Sequence, residues 1–394
     1  MSDSTVRTDD VRTDAPAGKP PILWLPFSVL TLTPLLALIL VPWHIASNGF
    51  NGGLIAGFLA ILACNGLSIT AGYHRLWAHN TYKASAALRW FFALFGAGAT
   101  QNSILVWTSG HRRHHRHVDD NDNDPYSANR GFWFSHIGWM LRDYPTGRVD
   151  FSNVPDLQRD PIVVFQHKYY VWLAIGMNLL PAIAIGWLCG DIWGGIVWVG
   201  FLRLVTNHHV TFFINSLAHI WGKRPYTDSN TARDNFWIAL LTWGEGYHNF
   251  HHIFQNDYRN GVRWWQFDPT KWLIYASSKL GLAKQLNRID DFKIQRALLD
   301  MQFKRAQTRL AGAGNADVWR EALEHEYQQF LGSLQEWNTL RQQWYEHKRQ
   351  QLAEKTAQLQ QLWQQTAIHS RLQELEYSLK QQRKRLQFLT LQFA

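Results

Sequence analysis

Nine of the chain's 18 histidines fall into four short clusters. Residues 74–79 read HRLWAH, 111–115 read HRRHH, and 248–252 read HNFHH. Residues 215–219 read NSLAH, which sets Asn215 four residues before His219. In a helix, positions i, i+3 and i+4 fall within an arc of about 100°. An HxxHH box therefore aims three imidazoles at one side, while its two adjacent members diverge by about 100°. His114 and His115 cannot easily grip one ion; such a box feeds two neighbouring ions, and His248, His251 and His252 repeat it. Asn215 and His219 share a face. His74 and His79, five apart, splay on a regular helix and suit two ions or a local unwinding.

His74, His79, His111, His114, His115, His219, His248, His251 and His252 with Asn215 make ten potential ligands. A structural zinc takes four. Two first-row ions would be nearly filled, with a place left for oxygen. Neutral imidazole suits iron, copper or zinc, and redox chemistry with iron is the favoured reading. One box alone would pass as a basic patch facing lipid headgroups; two boxes plus HxxxxH do not. Asp120, Asp122 and Asp124 imitate a calcium loop, but Pro125 stands at the sixth position and Gly131 at the twelfth, where Gly and Glu are needed. A carboxylate di-iron bundle needs two Glu-x-x-His pairs, and only Glu245–His248 fits. His44, His136 and His167 are expected in packing or interfacial roles. His117 is off the ligand face of its box. His208 and His209 lie inside an apolar run, where they would orient ligands or hydrogen-bond. His325, His347 and His369 are scattered on the C-terminal tail.

What positions these clusters is a set of apolar segments. Spanning a bilayer core takes roughly 20 consecutive apolar residues, and residues 21–45, 50–73, 169–190 and 192–215 qualify. Lys and Arg are absent from the two short connections and frequent everywhere else, which predicts four spans with both termini and the histidine clusters in the cytoplasm. A fifth apolar run, 86–107, has basic flanks on both sides and is expected to lie on or dip into the cytoplasmic leaflet, as is the Trp- and Lys-rich stretch 262–284. Residues 1–20 read as a disordered arm. The 21 tryptophans and net charge of +9 fit a membrane protein with a basic cytoplasmic side. Nucleic acid is not among the expected partners. Cys64 and Cys189 form no disulfide framework and no zinc spacing. Beyond residue 286 the chain turns Gln-, Leu- and Lys-rich. Leu323, Tyr327, Phe330, Leu334 and Trp337, then Ile368, Leu372, Leu375 and Leu379, step by three and four, and Leu386 follows one heptad later. That is coiled-coil spacing, compatible with a hairpin packing on itself or with self-association, and broken at 310–317.

The stretches AGYHRLWAHNTYKA, GHRRHHRH, DPYSANRGFWFSHIGWML, NSLAHIWGKRPY and GEGYHNFHH resemble the membrane-bound fatty acid desaturases of the Δ9 acyl-CoA (stearoyl-CoA) type and their bacterial relatives, over roughly residues 20–280. The resemblance implies an all-α membrane fold, four spans under a cytoplasmic cap holding two irons. It implies that the nine histidines bind metal, with Asn215 acting through a water. It further implies O2-dependent removal of two hydrogens from adjacent methylenes of a long-chain acyl group, with electrons from a separate ferredoxin- or cytochrome b5-like carrier. Asn102 and Trp107 match the family's substrate contacts; Trp107, Phe212 and Phe213 are placed to line an acyl tunnel. Animal relatives carry Arg–Asp where this chain has Ser109–Gly110, and Arg–Lys where it has Arg142–Asp143. That leaves both a CoA thioester and a membrane lipid as the acyl carrier. The expected domains are an arm at 1–20, a desaturase domain at 21–285 and a helical tail at 286–394. The alternatives are a di-iron hydroxylase on the same scaffold and a non-enzymatic membrane-anchored coiled-coil scaffold.

Overall fold

The structure, a computed structural model, describes residues 19–311, 316–353 and 360–392. Most of the expected N-terminal arm therefore lies outside the described residues. Three helices are long and apolar enough to cross a bilayer: Trp24–Asn48, Gly52–Ala78 and Tyr170–Leu188. The first leaves Leu25 and Leu38 about three-quarters exposed, as a helix facing lipid does. Residues 192–215 form a fourth helical run, but it carries Arg203, Asn207 and His208, all buried. These polar residues set its composition apart from the other three. Arg203 donates to the carbonyls of Val199 and Gly98 and to the Asn178 side chain, which satisfies the guanidinium without a carboxylate. The second and third helices approach closely because Gly57 lies against Ile185 and Gly53 against Cys189. Small residues at such crossings let backbones meet.

The second helix changes its winding where it reaches the histidines. Asn51 caps its start by accepting from the Gly53 and Leu54 N–H groups. From Ser68 to Ala78 the bonds run i→i+5, and His79 N–H donates to the His74 carbonyl at 3.1 Å. On a regular helix residues five apart diverge by about 140°. The wider π turn brings His79 back over His74, and such turns are frequent at functional sites.

The apolar run 86–107 is not one helix. It forms Ala86–Gly98 and the start of Ile104–His117, separated by a turn in which Thr100 and Asn102 have positive φ. Thirteen residues reach only about 20 Å, too short to cross. The first piece packs Phe92 against Gly72 and Gly96 against Tyr73, wedged against the second helix. The second piece, capped by Ser103, carries the HRRHH box as helix. In the 262–284 stretch only Pro269–Lys279 is helical. The loop before it is pinned by the Lys271 ammonium, which donates to the carbonyls of Gly261, Arg263 and Gln266.

The tail is a bundle of three helices, Asp291–Leu310, Ala316–Ala353 and Gln360–Gln392. Leu299, Ala306 and Leu310 of the first pack with Leu323, Phe330 and Leu334 of the second and Leu372, Leu375 and Leu386 of the third. Both three–four rows are thus buried within one chain. Phe330→Ala is expected to cost the bundle about 3–5 kcal/mol. Hydrogen exchange should show faster amide exchange over 291–310 and 319–349 and no change around the histidine boxes; unchanged exchange in the tail would contradict this packing.

Candidate metal centre

The nine histidines gather into two groups. His74, His79, His111, His115 and His251 form one, and His114, His219, His248 and His252 the other, with ligand atoms in each group within 4.8 Å of one another. Each HxxHH box divides between the groups: His115 and His251 go to the first, His114 and His252 to the second. Asn215 lines the adjoining cavity. His117 belongs to neither group.

The ring nitrogens stand at coordination spacing. His251 Nε2 is 3.0 Å from both His74 Nε2 and His115 Nε2, and His79 Nε2 is 2.8 Å from His111 Nε2. His248 Nε2 lies 3.1 Å from His219 Nε2 and 3.0 Å from His252 Nε2. Two nitrogens bound at about 2.1 Å at right angles on one ion would lie about 3.0 Å apart.

The outer nitrogens decide what the inner ones can be. A neutral imidazole has one donor and one acceptor nitrogen, and the partner of one fixes the other. His114 Nδ1 is 2.9 Å from both oxygens of the buried Asp124 carboxylate. Its Nε2 is consequently a lone pair, buried with no hydrogen-bond partner. His74 Nδ1 lies 2.9 Å from Glu245 Oε2 as an ion-pair contact, without the alignment of a hydrogen bond. His219 Nδ1 is 2.8 Å from Thr231 Oγ1; that hydroxyl donates to Asp119 Oδ1 and so must accept from the imidazole. Lone pairs converging at this spacing repel unless a cation stands among them. The donor set thus fits two first-row ions, each held through Nε2 atoms and oriented by acceptors behind the rings.

Glu245 is itself held. Arg75, fully buried, donates to Glu245 Oε1 at 2.8 Å and to Asp268 Oδ2 at 3.1 Å, and Asn260 donates to Glu245 Oε2 at 2.7 Å. Burial pushes the Glu245 carboxyl pKa up, but His74 and Arg75 outweigh it and keep the group below its ordinary range. Asp268 also caps Pro269–Lys279. One guanidinium thereby ties the π turn of the second helix to the third histidine box. These supporting residues were missed in the sequence. Glu245 and Asp124 were weighed there only as direct ligands, and nothing in the sequence pairs Asp119 with Thr231, 112 residues away. The isolated histidines take structural partners: His44 with Asp191, His136 with Ser216 and His209, His167 with Ser103, His208 with the Ala99 carbonyl.

A cavity of about 550 Å³ opens on His74, His111 and His248. Asn102, Trp107, Arg142 and Phe212 all line it, as do Ser109 and Gly110. Phe213 does not; its ring packs on His136 at 4.9 Å. Trp107 stacks on His111 with centroids 4.8 Å apart. Leu25, Val29 and Leu30 of the first helix line the cavity, as do Arg113, Arg142 and Arg148, the last paired with Asp143. Across the interior Gln101 Nε2 donates to Thr211 Oγ1 at 2.9 Å, a contact not anticipated from sequence. The cavity thus combines apolar residues of the membrane helices, arginines and three histidines of the two groups.

The sequence profile of the fatty acid desaturase family matches residues 51–283. The chain is 48% identical to a probable acyl-CoA desaturase of Schizosaccharomyces pombe over 61% of this chain and 50% of that protein. It is 39% identical to acyl-CoA desaturase 1 of Saccharomyces cerevisiae over 75% of this chain and 59% of that protein. With the sn-2 palmitoyl-lipid 9-desaturase of Nostoc it shares 37% identity over 68% of this chain and 92% of the relative. The chain thus spans half to three-fifths of the length of the two yeast relatives and nearly all of the Nostoc one.

Asp124→Asn and Glu245→Gln should each lower the affinity of their metal group about 10–100-fold, read as metal retained through a chelator titration; retention equal to wild type would remove these carboxylates from the site. Burial, and then repulsion among neighbouring imidazoles, holds His111, His115, His251 and His252 well below their ordinary pKa of 6.5. The unfolded chain binds these protons near 6.5 and the folded chain only further down, so stability is full above 6.5 and falls as pH drops below it. The thermal midpoint of the metal-free protein should therefore decline between about pH 7 and pH 5; a flat profile would contradict buried neutral rings.

Proposed function

This chain belongs to the fatty acid desaturase family, and we propose that it introduces a cis double bond, at the Δ9 position, into a saturated long-chain acyl group. The observation that carries the proposal is the pairing of two inward-facing histidine groups with an apolar cavity opening directly onto them. The overall change is balanced as follows. The adjacent methylenes give up two hydrogens, a carrier supplies two electrons and solvent two protons, and O2 leaves as two waters. Two irons, held by His74, His79, His111, His115 and His251 on one side and His114, His219, His248 and His252 on the other, would supply the reduction of oxygen and the removal of hydrogen. Asn215 would act through a water.

The chain's own residues supply placement. The acyl chain threads past Leu25, Val29 and Leu30, with its carrier beside Arg113 and Arg142. Trp107, fixed against His111, and the Gln101–Thr211 bond crossing the interior set where it must bend. Holding one C–C bond beside the reacting centre converts a difficult encounter into an oriented one. Apolar walls exclude water from that bond. Arg113 and Arg142, which line the cavity and donate to the Thr146 and Pro20 carbonyls, favour a polyanionic carrier such as a CoA thioester over a neutral glycerolipid, while Arg148 is paired with Asp143. In the membrane, the three apolar helices and the 192–215 run would make four crossings. Both termini and the histidine groups would then lie on the cytoplasmic side, with exposed Trp264, Trp272 and Tyr275 at the lipid interface.

Expression in a host lacking its own desaturase is expected to yield new Δ9 monounsaturated fatty acids, read by gas chromatography of methyl esters. His114→Ala should abolish the product. Hydroxylated chains with no double bond would move the reading to a hydroxylase, and product formation by His114→Ala would contradict it. Purified protein should convert stearoyl-CoA in preference to the same chain on phosphatidylcholine; the reverse preference would overturn the carrier assignment.

A further inference from the structure

The histidine groups have a second opening. A groove of about 630 Å³ reaches His79 and His115 of the first group, lined by Asn80, Arg112, Arg116 and Asp156 among others. It shares no lining residue with the acyl cavity, which meets the centre at His74, His111 and His248. Its character is also opposite: none of the large apolar residues that line the acyl cavity lines it, and no residue of the first or third membrane helix does. His115, on its floor, is only partly buried, whereas His74, His111 and His251 are buried.

The rim of the groove carries positive charge without counterions. Asp156, the carboxylate inside it, is taken up by both terminal nitrogens of Arg112, at 2.7 and 2.8 Å. Arg116 is exposed and has no ion-pair partner among the described residues. At the groove edge Asn287 donates to the Asn80 carbonyl at 3.0 Å. From that edge runs the two-stranded ribbon in which Lys83 stands opposite Lys284. Both lysines are exposed and lack an acidic partner among the described residues. Like charges directly opposite on a ribbon are unfavourable, and no carboxylate among the described residues pairs with either lysine.

We propose that this groove and its basic rim, formed by Arg116, Lys83 and Lys284, are the docking face for an acidic one-electron carrier protein, which delivers electrons at the His79 and His115 edge while the acyl chain occupies the other opening. The inference rests on the desaturase reading, which requires two electrons per double bond from outside the chain. Each docking event oxidises one carrier by one electron, and two such events complete the balance given above. Separate openings let reductant and substrate approach together, and an unpaired basic rim steers an acidic partner.

The test uses the full chain in lipid nanodiscs and a plant-type ferredoxin as the acidic probe. Binding of oxidised ferredoxin to the metal-free protein is measured first, so the readout does not depend on turnover. Lys83→Glu/Lys284→Glu, which keeps a like-charged pair on the ribbon, should weaken binding about tenfold or more; Arg116→Glu should do the same, and Lys380→Glu on the tail should not. In iron-loaded protein under anaerobic conditions, reduction by ferredoxin should slow to match in the ribbon variant, while reduction by dithionite stays as in wild type. Equal ferredoxin affinity and equal reduction rates in wild type and the ribbon variant would overturn the docking face. Charge-dependent binding by a protein that takes up no reducible iron would instead overturn the desaturase reading and leave the face standing.

Discussion

Everything in this fold answers to one electrostatic constraint: neutral imidazole lone pairs pointing at one another in a buried space. Asp124 and the Thr231–Asp119 relay hold the outer nitrogens of His114 and His219 as donors, and the Glu245 carboxylate lies 2.9 Å behind His74. The inner nitrogen of His114 has no hydrogen-bond partner, and those of His74 and His219 face only the ring nitrogens of His251 and His248. The π winding of Ser68–Ala78, the split of each HxxHH box and the buried Arg75 between Glu245 and Asp268 all serve to bring these rings to one place. With ions among the rings, the same geometry would be a preorganised metal centre.

Much of this was written in spacing. The divergence of adjacent residues on a helix suggests different ions for His114 and His115, and the two fall into different histidine groups. The i, i+5 pair left two readings open, and a wider turn resolves it. What spacing could not carry was anything set by distant contacts. Asp124 sits in a run of aspartates that resembles a calcium loop, and only folding turns it inward onto His114 while Asp122 stays exposed. Glu245 was weighed as a ligand because it precedes His248 by three, yet it faces the back of His74. The break at 99–103 was marked by the polar run Thr100, Gln101, Asn102 and Ser103, which was absorbed into one long apolar stretch; the positive φ of Thr100 and Asn102 is a backbone property that composition does not record.

The tail and the fourth helical run show the same limit from the other side. The three–four rows of 323–337 and 368–386 were visible, but the first helix of the bundle, 291–310, carries a sparser row and emerged only with its partners. The run 192–215 is apolar enough to suggest a span, yet it buries an arginine whose hydrogen bonds go to carbonyls and an amide. Lys304 pairs with Asp228 and joins the bundle to the loop that leads to Thr231. The tail thus abuts the segment that orients His219.

The central claim is that two iron ions sit among these nine histidines. Anomalous X-ray diffraction at the iron edge, on crystals of the protein grown with iron, tests it most directly. The account predicts two peaks, one among His74, His79, His111, His115 and His251 and one among His114, His219, His248 and His252. A single peak, or peaks only at the zinc edge, would contradict it.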